Sequence, residues 1–169
     1  MRGRAGADLA PERAADPEAA REAALTLLER TRRTRLDLAR RLRQKGYAAA
    51  TIDAVIERLA GVGLVDDVEY ARAFLAGRWS RRSAGWRRLE LELRKRGVSA
   101  PDVVAARARI EAEAGPADDL AAARRVLSQV GRRYAALDPR TRRQRLYALL
   151  ARRGFEGDVI RRALEEDDT

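Results

Sequence analysis

Residues 63–97 read GLVDDVEYARAFLAGRWSRRSAGWRRLELELRKRG, and their pattern is that of one helix started by acids, a basic turn, and a second, basic helix. Asp66 stands where an N-cap stands, with Glu69 three residues later. Ala71, Phe74 and Leu75 fall on one helical face, so the segment has an inner side. Arginines then crowd the far end, where positive charge complements the helix dipole. In the second helix Leu89 and Leu93 lie one turn apart, and Gly97 followed by Val98 ends it. Glycine in a left-handed conformation with an apolar residue after it is the Schellman arrangement, which folds that residue back onto the helix.

Working outward, the same phrase occurs twice more. Ala24, Leu27 and Leu28 precede the central stretch in the register of Ala71, Phe74 and Leu75, and Ala123, Val126 and Leu127 follow it. Leu38, Leu42, Gly46 and Tyr47 match Leu89, Leu93, Gly97 and Val98, then Leu146, Leu150, Gly154 and Phe155. Ile52 and Val55 match Val103 and Ala106, then Ile160 and Ala163, without a gap after each glycine. Only the loop between first and second helices changes length. Three registers kept together predict an all-α chain of three tandem three-helix repeats, forming an elongated, curved, solenoid-like array. The expected units are 17–64, 65–115 and 116–169, preceded by a mobile tail over 1–16 that has too little apolar surface to offset its ordering entropy. In the first unit, Asp16 and Pro17 open a helix to about Arg30, a second runs from about Thr34 to Lys45, and a third from about Ala50 to Ala60. Asp138 and Pro139 open a helix in the same way. Units of about fifty residues are small, so neighbours are expected to share apolar surface.

Composition narrows the chemistry. The 169 residues contain no Cys and no His, which removes thiol nucleophiles, disulfides, imidazole bases and the usual zinc ligands. No cofactor, metal or catalytic residue is expected. The absence of a long apolar run and of a signal-like N-terminus points to a cytoplasmic protein that does not enter a membrane. A net charge of +10 draws such a chain towards nucleic acid or an acidic protein surface.

The charge repeats with the modules. Bases gather along the second helices and the loops before them, and acids along the third helices and the starts of the first. The candidate basic surface comprises Arg32, Arg33, Arg40, Arg43, Arg78, Arg81, Arg82, Arg87, Arg88, Arg94, Lys95, Arg142, Arg143 and Arg145. Dipole complementation explains bases near helix ends such as Arg43 and Lys95. It does not explain Arg32, Arg33, Arg81, Arg82, Arg142 and Arg143 near helix starts, which favours a binding role there. Trp79, Trp86 and Tyr134 lie beside these runs; stacking on a base is one reading, and anchoring between helices is the commoner one.

The central stretch resembles the signature of the RecX family of bacterial regulators of the RecA recombinase. The residues that carry the resemblance are Leu64, Asp66, Asp67, Tyr70, Ala71, Phe74, Gly85, Leu89, Leu93, Gly97, Gly154 and Phe155. Membership implies tandem three-helix repeats and a non-enzymatic protein that binds RecA and its nucleoprotein filament and restrains recombinase and ATPase activity; the basic surface adds an expected contact with DNA, and a monomer is expected. The alternative from residues alone is a free-standing DNA- or RNA-binding protein of helix-turn-helix-like modules, with a steep salt dependence.

Overall fold

The computed structural model describes residues 10–78 and 84–167; Trp79, Arg81 and Arg82 lie outside these. Among the described residues every regular element is helical. The first unit holds α1 (Pro11–Ala14), α2 (Pro17–Arg30), α3 (Arg35–Gln44) and α4 (Ala49–Gly61). The second holds α5 (Asp67–Ala76), α6 (Trp86–Lys95) and α7 (Ala100–Ala114). The third holds α8 (Asp119–Val130), a 3₁₀ turn (Gly131–Tyr134), α9 (Pro139–Arg152) and α10 (Gly157–Asp167).

Side-chain caps set where most of these helices begin. Asp16 accepts from the amides of Glu18 and Ala19 at 2.9 and 3.2 Å, and Asp66, Asp118 and Asp138 each accept from the amide three residues on, those of Glu69, Ala121 and Thr141. Each satisfies an amide that the helix leaves without a backbone partner. The segment expected as tail includes the single turn α1, whose Ala14 carbonyl accepts from the Ala48 amide at 2.9 Å.

All three second helices end in the same way. Tyr47, Val98 and Phe155 donate to the carbonyls of Leu42, Leu93 and Leu150, each at 3.2 Å. The intervening Gly46, Gly97 and Gly154 have φ of 93°, 91° and 85°. These are Schellman caps, and Tyr47, Val98 and Phe155 are accordingly buried.

Each unit has its own core. Leu38, Leu42, Ile52 and Leu59 are sealed in the first; Leu75, Leu93 and Val103 in the second; Leu127, Leu146, Leu150 and Ile160 in the third. The buried side chains fall into three clusters, so the apolar surface that neighbours were expected to share is confined to contacts at the junctions, such as the Leu36 side chain against Gly97. The aromatics behave as anchors where they are described: Trp86 packs on the second core and under the Arg107 guanidinium, 4.5 Å from the ring centre, and Tyr134 packs on the third.

Candidate functional site

The junctions between units are built from the N-cap of one second helix and the C-cap of the next. At the first, Thr34 caps α3 by accepting from the Asp37 amide, while its hydroxyl donates to the Arg96 carbonyl at 2.6 Å. At the second, the Gly85 amide donates to the Arg153 carbonyl at 2.9 Å. Thr34 and Gly85 are both N-caps, and Arg96 and Arg153 are both C-caps. In each pair the positive end of one helix dipole meets the negative end of another. The three basic helices α3, α6 and α9 are thus joined end to end.

Close approach requires glycine at both contacts. A Cβ on Gly97 would stand 2.3 Å from the Leu36 Cβ, and one on Gly85 would stand 2.2 Å from the Gly154 carbonyl oxygen. Gly154 in turn lies against the Arg88 backbone. The third second helix ends the row differently: α9 has 14 residues where α3 and α6 have 10, because Asp138 caps it one turn earlier.

Most of the signature residues now have physical work. Asp66 caps its own helix, whereas Asp67 accepts at 2.9 Å from the Arg35 amide at the start of α3 in the preceding unit. Tyr70 and Phe74 hold Arg96, by a 3.3 Å hydrogen bond to the Tyr70 hydroxyl and by the Phe74 ring 5.1 Å from its guanidinium. Gly85, Gly97 and Gly154 allow the contacts, and Ala71, Leu89, Leu93 and Phe155 fill cores. Leu64 is exposed.

Carboxylates across the first junction respond to their surroundings. Burial pushes the Asp67 carboxyl up, against the Arg35 amide that stabilises its anion. Hydrogen bonds from Arg72 and then Arg32 hold Glu69 down at about 2. Arg32 reaches Glu69 at 2.8 Å from the neighbouring unit, so its place near a helix start serves the junction. Arg33 likewise turns inward, donating to the Leu27 carbonyl and to Asp37. Arg78 lies over the Phe74 ring at 3.9 Å and donates to the Phe74 carbonyl.

The other described candidates remain on the surface. Arg40, Arg43, Arg87, Arg88, Arg94, Lys95, Arg143 and Arg145 are exposed, and Arg142 is half-buried. The first junction opens into a groove of about 630 Å³ that carries Arg40, Arg43 and Lys95, and the second into one of about 540 Å³ that carries Arg87, Arg88 and Arg94. Lys95 lines both. Sequence reading missed Leu36, Asp37 and Leu91 in these grooves; for the two leucines the available signal was that they stand off the inward stripes of Leu38 and Leu42 and of Leu89 and Leu93. Among the described residues no cluster of carboxylates is placed to hold a metal ion, and no helix is long and apolar enough to cross a membrane.

Comparison with known proteins agrees with this architecture. Models of the RecX first, second and third three-helix domains match residues 20–59, 66–106 and 117–164. The chain is 37% identical over 169 residues to the regulatory protein RecX of Thermobifida fusca, covering 96% of this chain and 88% of that one. It is 40% identical over 162 residues to the regulatory protein RecX of Halorhodospira halophila, covering 93% and 95%. The crystal structure of RecX from Lactobacillus salivarius superposes with a TM-score of 0.77 at 21% identity, covering 90% of this chain and 96% of that one, which supports the fold.

Proposed function

Since the chain belongs to the RecX family, we propose that it is a non-enzymatic, monomeric cytoplasmic regulator that binds RecA and RecA–DNA filaments and restrains their recombinase and ATPase activity in DNA repair. The observation that carries this reading is the end-to-end joining of α3, α6 and α9 through equivalent cap contacts. A polymer repeats its binding surface along its length. A row of modules held in fixed register can touch successive subunits, so that individually weak contacts gain from high effective concentration. Acidic side chains at the junctions and on the third helices limit indiscriminate attachment to polyanions.

The test is RecA ATPase on single-stranded DNA with sub-stoichiometric amounts of this protein, repeated with DNA in excess. Inhibition that persists in excess DNA supports filament binding. Inhibition that vanishes as DNA is added points instead to a free-standing nucleic-acid binder.

A further inference from the structure

The two junction grooves occupy equivalent places but differ in chemistry. Seven basic side chains line the first against one carboxylate, Asp37. The second has five against two, Glu90 and Glu92. In the second groove Arg88 is paired with Glu92 at 3.3 Å, Arg94 with Glu90 at 4.0 Å, and Arg87 with Glu156 at 3.5 Å. The exposed Leu91 lies among them, six residues before Gly97, where the first unit has Arg40 six residues before Gly46.

In the first groove a single carboxylate organises the arginines. Asp37 binds Arg40 at 2.5 Å through one oxygen, and Arg33 at 2.8 Å and Arg41 at 3.0 Å through the other. Arg43 and Lys95 face the same space and carry no ion pair among the described residues. Burial works against the Asp37 anion, yet its three arginine hydrogen bonds hold the carboxyl down at about 2, so it stays charged at neutral pH.

We infer that the groove between the first and second units binds the phosphodiester backbone of nucleic acid, with Asp37 as the positioning residue that fans its arginines. Guanidinium groups present paired N–H donors to phosphate oxygens, and held arginines lose less freedom on binding than free ones. A single carboxylate repels a phosphate weakly across a wet groove. Arg33 turns inward to the Leu27 carbonyl, so Asp37 presents Arg40 and Arg41 to the groove, and holding these two outweighs the charge it subtracts. The second groove, with five bases against two carboxylates, concentrates less positive charge and is the weaker site for a phosphate. This assignment deepens the filament reading and rests on it only for the identity of the protein partner.

The experiment measures anisotropy of a labelled oligo(dT) with the full chain over a salt series, alongside RecA ATPase inhibition in excess DNA. Arg40→Ala with Arg43→Ala is expected to weaken DNA binding by about tenfold and to flatten the salt slope by about 1.4, the loss of two single-strand phosphate contacts. Asp37→Asn is expected to weaken it about threefold although the chain becomes more positive, the opposite of a pure net-charge effect. Circular dichroism checks that both variants keep their helix content. Unchanged affinity and slope in the folded double variant overturn the site, and tighter binding by Asp37→Asn overturns the positioning role. Unchanged DNA binding with lost inhibition means that an acidic protein segment occupies the groove, which also overturns the assignment. Loss of DNA binding in the variants together with no inhibition by the wild type upholds the groove and sinks the filament reading instead.

Discussion

Thr34 and Arg96, 62 residues apart in the chain, meet through a 2.6 Å hydrogen bond from hydroxyl to carbonyl. The same hydroxyl oxygen accepts from the Asp37 amide at 3.1 Å, so one buried side chain both starts α3 and ties it to the end of α6. Thr34→Val keeps the shape and removes both bonds. It should cost about 2 kcal/mol, from a lost cap and a carbonyl left without its partner. Thr34→Ser should stay within about 0.5 kcal/mol of the wild type. Denaturant unfolding compares the totals, and hydrogen exchange at the Asp37 amide locates the loss.

Glycine substitutions separate backbone strain from close approach. Gly46→Ala meets the left-handed conformation, for about 1–2 kcal/mol. Gly97→Ala meets the same conformation and also Leu36, for about 1–3 kcal/mol more. Gly85 has an ordinary φ of −71°, so Gly85→Ala tests the contact with the Gly154 carbonyl without left-handed strain. Small-angle scattering should show a changed shape for Gly85→Ala and Gly97→Ala. An unchanged profile for both would show that the junctions yield freely.

The division of labour among these glycines shows what was legible in the sequence. Gly46, Gly97 and Gly154 announce themselves because a Schellman cap is local: the glycine, the leucine before it and the apolar residue after it lie within six positions. The cores were readable for the same reason, since Leu38 and Leu42, Leu89 and Leu93, and Leu146 and Leu150 each stand one helical turn apart. Gly85 was visible only through resemblance, because its reason is a carbonyl in another unit. Thr34 bonding to Arg96, and Asp67 to the Arg35 amide, depend on how units meet, and the 3.6-residue period says nothing about that. Arg32 and Arg33 were read as binding groups from their conflict with the helix dipole. The carboxylates of Glu69 and Asp37 answer that conflict from within the fold.

Separate cores predict separable damage. Leu93 is fully buried in the second cluster, and Leu93→Ala should cost about 2–5 kcal/mol through lost burial and a residual cavity. With little apolar surface shared across the junctions, the loss should concentrate in α5, α6 and α7. Residue-resolved hydrogen exchange should show those helices losing protection first, with α2 and α4 less affected. Equal loss in all three units would mean that the array unfolds as one body.

Acid should act on the first junction in two opposing ways. Asp37 and Glu69 have folded values near 2, below their ordinary values of 3.8 and 4.5. Their contribution to stability is complete above those ordinary values and fades as the pH falls towards 2. Asp67 is raised, so the folded state takes up its proton more readily than the unfolded chain does, and its ionised form carries a stability cost that acidification relieves. Glu69→Gln should therefore lower stability at pH 7 and flatten the decline between about pH 4.5 and 2. Asp67→Asn keeps an oxygen for the Arg35 amide and removes the buried charge. It should equal or exceed the wild type at pH 7, by a margin that shrinks as the wild-type Asp67 protonates. Asp67→Ala, which leaves that amide uncapped, should lose about 1 kcal/mol. Denaturation at pH 7, 5, 4 and 3 reads all three variants, and an Asp67→Asn margin that grows on acidification would reverse the sign assigned to this carboxylate.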